Sequence, residues 1–259
     1  QVVFITGASS GIGAAVALEF AREGARLALA ARRADKLEAV KSEIEALGAV
    51  AIALECDVTH RESIDRAVAQ TVEAFGRIDV VLANAGFGVS GAATRLETKD
   101  FRRQFETNVF GVIDTVYATL PHLLESKGRL AMVSSVMGRV GLPASAPYCA
   151  SKFAVLGLAE SIYFDLADHG VSVTCINPGI VASEIRSVNN RGEFTGKPDP
   201  ASKWLIMPTE VAARKIVRAI YRKVPEYTFT GHEHAVAGEG VLGNLHRPRR
   251  VRGRGEAPL

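Results

Sequence analysis

The run Tyr148-Cys149-Ala150-Ser151-Lys152 sets a phenol and an amine four residues apart at the start of a helix-forming stretch. A helix rises about 1.5 Å per residue and turns once in about 3.6 residues, so positions i and i+4 share a face and both groups can point into one pocket. A phenol with an ordinary pKa of about 10 exchanges protons poorly at neutral pH, whereas a neighbouring cation favours phenolate and brings the pKa toward the working range. The pair is therefore a candidate proton-transfer site. The same spacing also occurs on solvated helix faces, so the rest of the chain has to supply the pocket and the reaction partner.

The first segment that could do so is a glycine-rich turn. Residues 2–6 are a β-branched and aromatic run, which predicts a buried strand. It opens into Thr6-Gly7-Ala8-Ser9-Ser10-Gly11-Ile12-Gly13 and a helical stretch to about residue 23. Strand, glycine turn and helix in that order let a backbone approach a diphosphate whose charge the helix N-terminus favours. The spacing is G-x-x-x-G-x-G, and a tight turn with no ligand is the alternative. A second strand over residues 26–31 ends at Ala31, followed by Arg32 and Arg33. In a dinucleotide fold this strand end meets the adenine ribose, where a carboxylate would bind the 2′-hydroxyl and repel a 2′-phosphate. No acid stands there, and guanidinium matches phosphate geometry, so the pair points to NADP(H), with NAD(H) less favoured. Exposed helix-start charges would also explain at least one of the two arginines.

Strands are predicted over residues 50–55, 79–83, 129–134, 171–176 and 227–230, alternating with helices over 34–47, up to 75 from a cap at Thr59, 99–124, 148–169, and 209–223 with Thr209 as cap. The third strand ends at Cys56-Asp57-Val58, the fourth at Asn84-Ala85-Gly86, the fifth at Ser134-Ser135 and the sixth at Asn177-Pro178-Gly179. Polar and glycine residues at strand carboxyl ends lie where open parallel sheets bind ligands, although turn chemistry also explains them. Asn108, a polar amide among apolar neighbours in the long fourth helix, must be hydrogen-bonded to something. This alternation implies an α/β chain built as one doubly wound, mainly parallel, seven-stranded sheet with helices on both faces. The expected layout is one domain over residues 1–245, an irregular lid over about 180–207, and a basic, disordered tail over 246–259.

Composition excludes several classes. The 259 residues are 47% hydrophobic and 23% charged, ordinary values for a globular chain, and no apolar run reaches the roughly 18 residues of a membrane span. Five arginines and one glutamate fall in the tail, so the net charge of +3 leaves the body at about −1, and nucleic acid is not an expected partner. Contact of the tail with an anionic membrane is a lesser expectation than a solvated end. Cys56, Cys149 and Cys175 fall singly, without His or Cys at metal-ligand spacing, which fits a reducing compartment, taken as the cytoplasm, and no metal.

These motifs together resemble the short-chain dehydrogenases/reductases, over residues 1–230. The likeness rests on Thr6 to Gly13, Asn84-Ala85-Gly86, Asn108, Ser135, Tyr148 with Lys152 and Pro178-Gly179 in the family's order, with Tyr148 thirteen positions after Ser135. The resemblance implies that Tyr148 is the general acid or base. Lys152 lowers its pKa and binds the nicotinamide ribose, Ser135 holds the substrate oxygen, and Asn108 fixes a water linking Lys152 to solvent. It further implies a cofactor site of Gly7, Ser9, Ser10, Gly11, Ile12, Gly13, Arg32, Arg33, Asp57, Val58, Asn84, Ala85, Gly86, Tyr148, Lys152, Pro178, Gly179, Ile180 and Ser183. Ser183 stands where members often carry threonine. The mostly small or apolar residues over 87–93, 136–142 and 181–207 predict a hydrophobic carbonyl or alcohol as the small-molecule substrate. A 3-oxoacyl-carrier-protein reductase is the runner-up, and a non-catalytic NADP(H)-sensing or scaffolding protein the reading from another class. A homodimer or homotetramer is usual for the family.

Overall fold

Parallel strands buried on both faces read as unbroken apolar runs, and the chain begins with one: all five residues of β1 (Val2–Thr6) are buried. The structure, a computed structural model, describes residues 1–187, 189–191, 193, 195 and 203–230. The expected tail, the end of the expected 1–245 domain and part of the expected lid lie outside them.

The other strands are β2 (Arg26–Ala31), β3 (Val50–Glu55), β4 (Val80–Ala83), β5 (Arg129–Val133), β6 (Ser172–Pro178) and β7 (Glu226–Phe229). They form one seven-stranded sheet in the order β3-β2-β1-β4-β5-β6-β7, and every pairing is parallel. The expected architecture is thus found, and among the described residues the sheet has no antiparallel strand, which "mainly parallel" allowed. Helices α1 (Gly11–Arg22), α2 (Ala34–Ala46) and α7 (Thr209–Tyr221) cover one face. The opposite face carries α3 (Arg61–Phe75), α5 (Gly111–Ser126) and α6 (Ala146–Ala167), with α4 (Thr98–Phe105) leading into α5. Period-2 alternation divides the strands between these layers: Val3 and Ile5 of β1 pack with the first group, and Phe4 with the second. Strand order reverses between β1 and β4, so a crevice opens at their carboxyl ends, where such sheets bind ligands.

Four expectations need correction. Thr59 does not cap α3; His60 holds the N-cap position, while Thr59 donates from its backbone N and Oγ1 to Asp57 Oδ1 (3.0 and 2.8 Å), a local turn that competes with capping. Thr209 is the first residue of α7 behind Pro208, and its hydroxyl donates to the Ala182 carbonyl at 3.3 Å. The single helix expected over 99–124 is two helices joined by a π-turn at Glu106–Phe110. Finally, β6 runs through Asn177 and Pro178 instead of breaking there, because β7 pairs with both and Glu226 and Thr228 accept from the Asn177 amide at 2.6 and 3.2 Å.

Candidate active site

The glycine turn is fixed by contacts that no other residue would permit. Gly7 and Gly11 have φ of +68° and +56°, in the left-handed region that favours glycine. A Cβ on Gly13 would lie 2.3 Å from the Gly7 carbonyl oxygen and 2.7 Å from Asn84 Nδ2. Asn84 welds this turn to β4, donating from Nδ2 to the carbonyls of Thr6 (3.0 Å) and Gly7 (3.2 Å), while Thr6 Oγ1 accepts from the backbone N of Asn84 (3.1 Å) and Ala85 (3.3 Å). Gly86 faces Asn108, whose Oδ1 lies 3.0 Å from the place a Cβ would take. The result is a tight glycine turn at the N-terminus of the twelve-residue α1, a place that favours an anion.

Beside the turn, at the ends of β2 and β3, a cavity of about 480 Å³ is lined by Arg32, Glu55, Asp57, Ser63 and Arg66. Asp57 is held by its bonds to Thr59 and by its own N–H, which donates to Ser63 Oγ at 3.1 Å. Val58 is buried, and its Cγ2 comes within 2.8 Å of where a Cβ on Gly111 would lie, so that side chain packs against the start of α5. Arg33 leaves Arg32 behind and folds over the turn: Nε and Nη2 donate to Ser9 Oγ (3.3 and 3.0 Å), Nη2 also to Ser10 Oγ (2.7 Å), and Nη1 to Glu184 Oε2 (2.7 Å). Lys36 Nζ donates to Glu184 Oε1 at 2.5 Å. Partial burial opposes ionisation of Glu184, but hydrogen bonds from Lys36, Arg33 and Ser10 outweigh it and bring its pKa down to about 2. Ser183, beside it, places Cβ 3.1 Å from the position a Cβ on Gly11 would take, and its hydroxyl donates to the Val181 carbonyl at 3.3 Å. Ile180 is fixed through its carbonyl, which accepts from Met207 N at 2.8 Å.

At the other end of the crevice stand Tyr148, Lys152 and Ser135, the residues expected to transfer the proton and hold the substrate oxygen. Pro147 lies in the first turn of α6, where its missing N–H costs nothing, and sets Tyr148 and Lys152 on successive turns. Lys152 is buried, and its Nζ donates to the Val133 carbonyl at the end of β5 (2.8 Å) and lies 5.7 Å from the centroid of the Tyr148 ring. Burial lowers the Lys152 pKa from 10.5 to about 8, with a smaller opposing contribution from Cys175. Ser134 Oγ donates to the Lys152 carbonyl at 2.7 Å, and a Cβ on Gly138 would come within 2.8 Å of that same carbonyl, so β5 and α6 are locked together. Ser135 is buried; its hydroxyl lies 3.4 Å from the Pro178 carbonyl at the end of β6 and accepts from Met137 N at 3.1 Å. Pro178-Gly179 is pinned in turn by the Gly179 N–H on the Phe229 carbonyl at 2.8 Å.

Asn108 sits in the π-turn, a rare element that concentrates at functional sites. Its side chain is spent on protein: Oδ1 accepts from Phe87 N (3.1 Å), and Nδ2 donates to the Phe87 carbonyl (3.0 Å) and Ser151 Oγ (3.3 Å). Gln104, which sequence reasoning missed, completes the clamp by accepting from Val89 N at 2.6 Å and donating to the Phe87 carbonyl at 2.7 Å. Two fully buried amides thereby hold residues 87–89 against Tyr148, whose Cδ2 is 3.7 Å from where a Cβ on Gly88 would lie. Both stand one helical turn apart on an apolar face, the signal by which Gln104 could have been found. Arg66, Lys36 and Glu184 were also missed; their grouping depends on tertiary contacts. Cys149, beside Tyr148, is buried and accepts from Leu142 N at 3.5 Å, as a packing residue does. Among the described residues no group of three or more His, Cys, Asp or Glu could hold a metal, and no helix is long and apolar enough to cross a membrane.

Comparison with known proteins agrees with this geometry. The family model for short chain dehydrogenases matches residues 1–193. An uncharacterised oxidoreductase of Myxococcus xanthus is 42% identical over 192 residues, covering 73% of this chain and 76% of the relative. A glycine betaine reductase of Emericella nidulans is 33% identical over 88% of this chain, which spans only 18% of that much longer protein. Among solved structures, an alcohol dehydrogenase of Thermococcus sibiricus complexed with 5-hydroxy-NADP is 30% identical with a TM-score of 0.78, covering 89% of this chain and 96% of that one. A short chain dehydrogenase/reductase of Burkholderia phymatum in complex with NAD is 26% identical with a TM-score of 0.79, covering 88% of each chain. The chain belongs to the short-chain dehydrogenase/reductase family of oxidoreductases.

Proposed function

We propose that the protein interconverts a carbonyl and an alcohol with NADP(H), and that the substrate is hydrophobic. The observation that carries the reaction is the setting of Tyr148 and Lys152 on successive turns of α6, with the buried ammonium 5.7 Å from the phenol ring and tied to the end of β5. The residues fit a dinucleotide: the glycines let the turn pack tightly on Asn84 and Ala85 at the N-terminus of α1, where a diphosphate is favoured, and the cavity at Arg32, Asp57 and Arg66 lies where an adenosine end would rest. Gly7, Ser9, Ser10, Gly11, Ile12 and Gly13 would hold the diphosphate, with Arg32 and Arg33 at a 2′-phosphate, and Asn84, Ala85, Gly86, Pro178, Gly179, Ile180 and Ser183 along the nicotinamide half. Bound there, the cofactor supplies the hydride.

The chain's own residues supply the rest. Tyr148 donates its phenolic proton to the carbonyl oxygen in reduction and takes it back in oxidation, and Lys152 stabilises the phenolate through its positive charge. Ser135, at the mouth of β5, donates a hydrogen bond to the oxygen as negative charge grows on it. Asn108 and Gln104 keep the 87–89 loop from drifting across the phenol. Val140, Leu142 and Trp204 are large apolar side chains left 43%, 49% and 67% exposed on segments that flank the crevice, which favours an apolar substrate.

Nicotinamide absorbance followed against a panel of carbonyls, with NADPH and separately NADH, tests the reading. Apolar ketones should be reduced with NADPH, and Tyr148→Phe should lose roughly a hundredfold or more of the turnover. A preference for short hydrophilic sugars would remove the apolar substrate, and a preference for 3-oxoacyl thioesters would favour the carrier-protein reductase. Binding of NADPH without oxidation by any carbonyl would favour a sensor.

A further inference from the structure

Glu184 is the residue that no role in hydride or proton transfer accounts for. It begins a short 3-10 turn, Glu184–Arg186, just after Ser183 has packed on Gly11, and it reaches back across 151 residues to Arg33 and 148 to Lys36. The ion pairs close over the glycine turn at 2.7 and 2.5 Å, with the side chain of Glu184 29% exposed. Arg33 is committed at all three nitrogens, to Ser9, Ser10 and Glu184. Two cations and two hydroxyls converging at the end of β2 form a seat for an anion, and the group in that seat is the protein's own carboxylate.

We propose that Glu184 is an internal stand-in for the 2′-phosphate of NADP(H), and that it sets how strongly the chain discriminates NADP(H) from NAD(H). The inference rests on the cofactor assignment above. A phosphate on Arg33 requires the Nη1 donor that Glu184 holds, and it brings roughly −1.5 to −2 charges beside a carboxylate already ionised. The two anions therefore exclude each other, and NADP(H) binds only as Glu184 lets go. A 2′-hydroxyl requires no cation, so NAD(H) leaves the pair in place. Because Glu184 directly follows Ser183, its release also frees the start of the lid segment from the β2–α2 junction. Occupancy of the adenosine end is thereby linked to the position of residues 183–186.

Isothermal titration of the wild type and of Glu184→Gln with NADPH, NADH, adenosine 2′,5′-bisphosphate and AMP separates these effects, since the last two ligands lack the nicotinamide. Glutamine keeps the size and removes the charge. The variant should bind NADPH and adenosine 2′,5′-bisphosphate roughly threefold to fivefold tighter, the range expected for removing partly exposed ion pairs, with NADH and AMP changed less than twofold. Thermal unfolding of the cofactor-free variant should show a lower midpoint, since its two ion pairs are gone. A lower midpoint with no gain for NADPH would make the contact purely structural and overturn the proposal. Weaker NADPH binding would show a clamp instead of a competitor, and equal tightening of NADH would show repulsion of the diphosphate; either also overturns it. The wild-type ratio of NADPH to NADH affinity reads the cofactor assignment separately: a wild type preferring NADH would remove that assignment, while a selective NADPH gain in Glu184→Gln would still support the role of Glu184.

Discussion

Lys152 should make the cofactor-free protein more stable as the solution becomes alkaline, an effect that Lys152→Met abolishes. Burial lowers the folded-state pKa from 10.5 to about 8, so between these values the unfolded chain binds more protons than the native one, and stability rises with pH. At about 1.4 kcal/mol for each tenfold change in proton affinity, the full rise is about 3 kcal/mol. Cys175 works the other way: burial pushes its thiol up to about 12 while the unfolded thiol ionises inside the window, but that contribution is common to both proteins and drops out of their difference. Below pH 8 the native state carries the whole cost of a buried ammonium. Methionine removes that cost of about 3 kcal/mol but leaves the Val133 carbonyl without its donor, which costs about 1 to 3 kcal/mol. The variant should then range from equal in stability to about 2 kcal/mol more stable near neutrality, while losing turnover. At pH 10.5 the neutral amine keeps its bond to Val133, and the wild type should have regained about 3 kcal/mol relative to the variant. Urea titrations of both proteins at intervals from pH 7.5 to 10.5 give the difference directly, and other titrating groups cancel in it. A difference that stays flat with pH would refute the burial argument, and one that moves against the wild type would show that Lys152 is ion-paired in the native state.

Other expectations follow from individual contacts. Gly13→Ala would force a Cβ to 2.3 Å from the Gly7 carbonyl, so urea unfolding should show a loss of about 2 kcal/mol or more, with NADPH binding falling alongside it. Gln104→Leu puts an apolar side chain of similar size in its place, leaving Val89 N unpaired and the Phe87 carbonyl with Asn108 as its donor, at a cost of about 2 kcal/mol. In steady-state kinetics the same variant should raise KM for the carbonyl more than it lowers kcat, because Gln104 steadies the loop beside Tyr148 and touches no reacting atom.

Strands were the most legible part of the chain. Residues 2–6, 26–31 and 50–55 coincide with β1, β2 and β3 because a strand covered on both faces must be apolar throughout and its turns must not be. Helix boundaries were harder. A π-turn adds one residue to the winding and shifts the phase of the apolar stripe by about 100°, so the pattern over residues 99–124 reads as one helix although Asn108 interrupts it. Thr59 and Thr209 are good capping residues by type, but the side chain of Asp57 claims the first and Ala182 accepts from the second. Capping preference is worth about 1 kcal/mol, and a competing bond of similar strength decides against it.

The two ends of the crevice were unequally legible for a related reason. Tyr148, Lys152 and Ser135 lie close in sequence, on α6 and the end of β5, and short-range spacing carries their geometry. At the adenosine end, Arg32 and Arg33 are adjacent in sequence yet diverge in space, one lining the cavity with Asp57 and Arg66, the other folded over Ser9 and Ser10 toward Glu184. Their types announced a phosphate but could not divide the work between them. That division depends on a carboxylate 151 residues away, and neither helical nor strand periodicity relates positions so far apart. On the proposed function, specificity for the cofactor's phosphate would therefore be a property of three segments brought together by the fold, whereas proton transfer would be very nearly a property of one helix turn and the strand end it packs against.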